Sequence, residues 1–127
     1  MPKIKPTFEI KSYGLYTQWD RASKALPKII RHTLDIPAEI GVEFGFILSV
    51  KGGKGESLDF RIDHPPFPDE KGEITPPFEG VYFVNSNDFL FFLGDTVWEP
   101  IENKRGEWIL SVLYKGKEVA RKSFHIS

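Results

Sequence analysis

Gly106-Glu107-Trp108-Ile109-Leu110-Ser111-Val112-Leu113-Tyr114-Lys115-Gly116-Lys117-Glu118-Val119-Ala120-Arg121-Lys122-Ser123-Phe124-His125-Ile126 decides the fold. Two strand-like runs flank a turn that contains Gly116. Trp108, Leu110, Val112 and Tyr114 alternate on one face of the first run. Ala120, Phe124 and Ile126 share a face of the second, with Lys122 between them. A one-residue slip turns either set to solvent, so the register matters. A three-residue turn pairing Tyr114 with Glu118 puts both sets on one side. A two-residue Gly116-Lys117 turn pairs Tyr114 with Val119 and separates them. The three-residue register is expected, because it brings most of the large apolar groups inward.

Upstream, the same period-2 pattern recurs. In residues 7–16, Phe8 and Ile10 share a face, and Gly14 then marks a bulge or a close backbone approach. Residues 17–27 are polar and loop-like, although Pro27 is also suited to open a short helix. Ile30, Leu34 and Ile36 suggest one strand over 28–36, ended by Pro37. Val42, Phe44, Phe46, Leu48 and Val50 define another, and Leu58, Phe60 and Ile62 the next. Residues 81–84 and 89–93 are further strands, the latter without alternation and so expected to be buried on both faces. Gly94-Asp95-Thr96 and Asn103 to Gly106 read as turns. Residues 63–79 hold five prolines and no periodicity, which predicts a long irregular loop, the kind that often carries function. Its pairs Pro65-Pro66 and Pro76-Pro77 are candidates for cis bonds. No long helix is expected. The result is a single all-β domain over 1–127, an immunoglobulin-like antiparallel β-sandwich of about seven to nine strands.

Composition narrows the function classes. The 127 residues contain no cysteine, which excludes disulfides, thiolate metal sites and Cys nucleophiles. The start, Met1 to Pro6, has no apolar signal core, and no run is long enough to span a membrane. A cytoplasmic location is expected. Net charge is −1 but unevenly distributed. Residues 1–32 carry seven Lys/Arg and two Asp/Glu, residues 33–103 four and fourteen, and residues 104–127 six and two. Distant strands pair in a sandwich, so these opposite charges are expected to meet across the fold. The rival reading is an acidic face for a basic partner. Clustered Lys/Arg suited to phosphate contacts are absent, so nucleic acid is not an expected partner.

No residue set demands a catalytic, cofactor or metal assignment. His32, His64 and His125 lack metal spacing. His32 lies between Ile30 and Leu34 and reads as a packed histidine, while His125 reads as an outer-face residue. His64 follows Asp63, but neighbours on a strand face opposite ways, so a direct pair is not expected. A hydrolase-type reading would use His64 with Asp69 or Glu70 in the proline-rich loop. Neither Gly41–Gly45 nor Gly52-Gly53-Lys54-Gly55 matches a phosphate-binding glycine motif. Trp19 and Trp98 stand in polar stretches, and Trp108 reads as core. Exposed tryptophan stacks on sugars or anchors partners. Tyr16, Trp19, His64 and Trp98 are therefore the candidate ligand or partner contacts.

Taken together, Thr33 to Gly41, Glu43-Phe44-Gly45-Phe46, His64-Pro65-Pro66, Gly106-Glu107-Trp108 and Lys122 to Ile126 resemble a family of short bacterial domains of unknown function. The resemblance covers nearly the full length. It implies a stand-alone β-sandwich in a bacterium, and it brings no catalytic residues with it. The leading expectation is a non-enzymatic module that binds a protein partner or itself, possessing no cofactor and no membrane association. A carbohydrate- or small-ligand-binding module using Tyr16, Trp19 and Trp98 is the alternative, and the hydrolase the third.

Overall fold

The alternating runs become nine strands among residues 5–17 and 26–127, which are the residues the computed structural model describes. They are β1 (Thr7–Tyr16), β2 (Ile29–Arg31), β3 (Asp35–Ile36), β4 (Glu43–Lys51), β5 (Ser57–Asp63), β6 (Phe78–Phe83), β7 (Asp88–Thr96), β8 (Gly106–Tyr114) and β9 (Lys117–Ile126). One 3₁₀ turn, Ile101–Asn103, precedes β8. A four-stranded sheet runs β2-β1-β4-β7, and a five-stranded sheet runs β3-β9-β8-β5-β6. Neighbouring strands are antiparallel apart from β3, which lies parallel to β9. The two sheets face each other over one apolar core, as an all-β sandwich. No helix among the described residues is long and apolar enough to cross a membrane.

The β8–β9 hairpin reaches the expected inward faces by another route. Tyr114 pairs with Lys117 around the two residues Lys115 and Gly116, whose φ angles are 51° and 80°. Two positive φ values are what a tight type I′ hairpin turn requires. Leu113 pairs with Glu118, and Val112 with Ala120, so Val119 is the extra residue of a β-bulge. The bulge, rather than a three-residue turn, brings Trp108 opposite Phe124 and Leu110 opposite Lys122. Trp108, Leu110, Val112, Phe124 and Ile126 are all buried. Lys122, alone among them in charge, places its ammonium 4.2 Å from the centre of the Tyr13 ring.

Further expectations are corrected. Residues 28–36 form two strands in different sheets, because Thr33 Oγ1 accepts a 3.0 Å hydrogen bond from the Asp35 N–H and bends the chain between them. The chain then joins β9 through His125 N–H to Leu34 O, 2.8 Å, and Ser127 N–H to Ile36 O, 3.0 Å. His32 and Ile30 are consequently exposed rather than packed, although His32 keeps an edge contact with Tyr13 at 5.9 Å. Pro27 opens no helix, since Lys28 returns to Thr17 and β2 follows directly. Gly94-Asp95-Thr96 continues β7 instead of turning. The cis X-Pro bond lies at Glu99–Pro100, outside both Pro-Pro pairs.

Gly14, Gly45 and Gly94 lie side by side across β1, β4 and β7. On this outer face, Ser12 and Tyr16 flank Gly14, and their hydroxyls share a 2.7 Å hydrogen bond, so the Tyr16 ring lies along the strand over Gly14. A Cβ on Gly94 would sit 2.4 Å from Phe92 Cζ. The Tyr16 and Phe92 rings meet edge to face at 4.9 Å. The glycine row thus gives two aromatic rings a bed on the outside of the sheet. Phe92 is buried there while Phe91 and Leu93 face the core, and Leu90 remains 46% exposed, so β7 is not covered along both faces. Burial raises the Tyr16 pKa above its ordinary value, against the lowering pull of Ser12 and the Ile47 backbone.

The charge segregation of the sequence survives folding. β1, β2 and β9 stand on one side, with Lys11, Arg31, Lys117, Arg121 and Lys122 against Glu9 and Glu118. β5, β6 and β7 stand on the other, where residues 57–96 hold eight Asp/Glu and two Lys/Arg. Local ion pairs such as Arg61–Asp63 and Arg121–Glu118 leave that polarity in place. The sheet order is the cause: the first and last strands, β1 and β9, lie on the same side.

Gly45 has φ +153°, and a Cβ there would lie 2.2 Å from Leu93 O. Gly45→Ala is expected to cost about 3 kcal/mol, because backbone must move. Thermal unfolding checks this. Gly55→Ala (φ +90°, no atom within 4 Å) carries strain without a clash, and its loss should be clearly smaller.

Candidate functional site

The mouth between β6 and β7, the last strands of their sheets on the acidic side, opens into a cleft of about 570 Å³. That volume lies within the ~300–1,000 Å³ typical of small-ligand sites. Phe60, Phe78 and Tyr82 wall it from the five-stranded sheet, and Leu93, Asp95 and Trp98 from the other. Glu79 stands at its rim. Gly80 makes room on β6, since a Cβ there would meet the Phe60 ring at 2.5 Å. The Tyr82 hydroxyl donates to Phe92 O at 3.3 Å, tying the two edge strands together at one end. Asp95 follows Phe91 and Leu93 at strand spacing and pairs with Phe44, so it takes an inward-facing position.

Behind the cleft lies an aromatic cluster. Trp98 packs near Phe67 (5.8 Å), Trp108 (5.9 Å) and Phe78 (6.3 Å). His64 stacks on Phe67 at 4.4 Å and Phe78 at 4.8 Å. Its Nδ1 is 2.9 Å from Pro65 O and its Nε2 is 2.9 Å from Pro76 O. The ring therefore lies between carbonyls at the two ends of the 64–77 segment, one tautomer donating to Pro65 O and the other to Pro76 O. That segment is more ordered than its composition predicts. Pro68 bridges Ile74, and Asp69 Oδ1 accepts the N–H groups of Lys71 (2.8 Å) and Glu73 (3.0 Å). Asp69 is thus the keystone of a small hairpin.

Lys104, read from the sequence as part of a turn, is 2% exposed. Its Nζ donates to Asn103 Oδ1 at 2.7 Å and Pro100 O at 3.3 Å. The ammonium lies 4.4 Å from the Phe67 ring centre and 4.6 Å from that of Trp98. Its carbonyl accepts the Trp108 indole N–H at 2.7 Å. Burial lowers the Lys104 pKa. One side chain and its carbonyl thus join the 64–77 segment, the 97–105 segment and β8.

The structure brings Trp98 and His64 into one cluster and separates Tyr16 from them. Tyr16 is 3% exposed, flattened on the glycine row, so it offers no stacking face beside Trp98. Trp19 lies outside the described residues. His64 makes no pair with Asp63, whose carboxylate meets Arg61 Nε at 2.8 Å. Among the described residues, no group of three or more His, Asp or Glu is placed to hold a metal. Asp95 and Lys104 were missed by sequence reading. Asp95 was legible in principle: it continues the Phe89, Phe91, Leu93 phase, which reading Gly94 as a turn conceals. Lys104 carries no such signal, because its burial depends on rings distant in sequence.

A family model described as Domain of unknown function (DUF3859) matches residues 4–126. No curated protein matches the chain. An immunoglobulin-like protein from Pseudomonas aeruginosa is similar in structure, with a TM-score of 0.80, 23% identity and 98% of each chain covered. At that identity the likeness establishes the immunoglobulin-like fold.

Lys104 gives a pH signature. Its folded pKa lies below the ordinary value of 10.5, so between the two the unfolded chain holds more protons. Stability attributable to this residue therefore rises with pH across that window. Lys104→Met is expected to be more stable than the parent by roughly 1 kcal/mol at neutral pH, with the margin shrinking toward pH 10.5. Denaturant midpoints of both proteins at several alkaline pH values measure it. The raised Tyr16 pKa acts on both and cancels in the difference.

Proposed function

The chain belongs to the DUF3859 family of domains of unknown function, and from that footing we propose a non-enzymatic interaction module whose acidic edge receives an extended basic segment of a partner protein. One observation carries the reading. β6 ends its sheet, and Val81 and Phe83 alternate on its outer face, each 63% exposed. An edge strand presents unpaired N–H and C=O groups to any extended chain alongside it. Natural edges are commonly blunted, and exposed apolar side chains at strand spacing do the reverse. Strand addition supplies affinity through main-chain bonds and specificity through alternate side chains. The acidic surroundings of β5 to β7 favour a basic partner. They also disfavour pairing of β6 with β6 of a second copy, because two edges of like charge would meet.

The groups that a hydrolase reading requires serve other contacts. His64 lies within hydrogen-bond distance of two backbone carbonyls, and Asp69 caps backbone N–H groups. These contacts support a structural role for the 64–77 segment: it buttresses the end of the cleft.

Affinity capture from an extract of the native cell tests the proposal, using the parent, a Val81→Lys/Phe83→Lys variant and a Lys117→Glu/Arg121→Glu control. The expected partner is retained by parent and control, lost with the edge variant, and released as salt shortens the reach of charge attraction. A partner retained by the edge variant, or lost only with the control, overturns it.

A further inference from the structure

The geometry points to a ligand class for the cleft: the cationic end of an alkylammonium or guanidinium group, such as a lysine or arginine side chain. That such a side chain comes from a partner rests on the edge-binding reading, whereas the chemistry of the cleft stands on separate observations. Its walls include the rings of Phe60, Phe78 and Tyr82, Trp98 (on whose ring Lys104 already rests) and Asp95, with Glu79 at the rim, and no Lys or Arg is among the lining residues. An aromatic face attracts a cation through its quadrupole, and nearby carboxylates add direct attraction.

The fold contains internal precedents. At the opposite mouth of the sandwich, the inward-phase Lys122 rests on Tyr13. Behind the cleft, Lys104 rests on Phe67 and Trp98. Each places an alkylammonium on an aromatic ring within the sandwich. Asp95 and Lys122 both take inward strand positions. The lysine covers a ring of its own chain. Asp95 Oδ1 accepts the Thr96 N–H at 2.8 Å, and its carboxylate lines a cleft whose volume accommodates the end of a side chain and whose surroundings are acidic.

The probe is n-butylguanidinium, compared with uncharged n-butylurea of similar shape. Binding is read from tryptophan fluorescence and amide NMR shifts of the full chain. n-Butylguanidinium is expected to bind with a Kd on the order of millimolar, shifting residues 78–82 and 93–98. Asp95→Asn is expected to weaken it about tenfold, equivalent to roughly 1.4 kcal/mol. Glu79→Gln is a second variant if Asp95→Asn is unstable, and a smaller loss is expected there. Equal binding of n-butylurea, shifts confined to other regions, or binding unaffected in stably folded Asp95→Asn and Glu79→Gln overturns the inference. Specific binding of n-butylguanidinium by a protein whose edge variant retains its captured partner supports the cleft chemistry and contradicts strand addition. Loss of that partner with no n-butylguanidinium binding does the opposite.

Discussion

A sandwich exists only if each strand keeps its apolar side inward along its whole length, and the β8–β9 register is where this chain meets that constraint. The Lys115-Gly116 turn alone would put the two strands out of phase. Val119, bulged out of the ladder, restores the phase and lets Trp108 meet Phe124 in the core. Trp108 then packs on Phe44 of the opposite sheet at 5.7 Å and takes the Lys104 carbonyl through its indole N–H. From this one alignment follow the closure of the core and the anchoring of the segment that carries Trp98.

The sheet orders have an electrostatic consequence. β1 and β9 share one side, and β9 carries Lys117, Arg121 and Lys122 there. The acidic middle of the chain supplies both edge strands of the other. Free strand edge, aromatic cleft and negative charge therefore coincide around β6 and β7. Each feature alone is common on protein surfaces. Their coincidence makes this side the binding face in our account. The buttress formed by His64, Phe67 and Lys104 keeps the cleft shaped from behind.

Much of the fold was legible because period-2 patterning reports which side of a strand is buried. Phe44, Phe46, Leu48 and Val50 lie in the core as their spacing implies, and so do Trp108, Leu110 and Val112. The misplaced details share a cause: a local contact overrides the pattern. Thr33 breaks a strand through one hydrogen bond, and a bulge replaces a longer turn. The site was less legible. Trp98 and His64 could be singled out by residue type, but their common neighbours Phe67, Phe78 and Lys104 meet only through long-range packing. Tyr16 looked available because the sequence gives no sign that three glycines align to bury it.

The central claim is that the β6–β7 side, and not the basic side, receives extended basic chains. Amide NMR mapping with an acetylated, amidated (Arg-Val)₄ peptide tests it most directly, since alternate residues match the two faces of an added strand. Shifts are expected to concentrate in residues 78–83 and 93–98, with slowed exchange of edge amides on β6. Shifts centred on β1 and β9, or none at millimolar peptide, would contradict it.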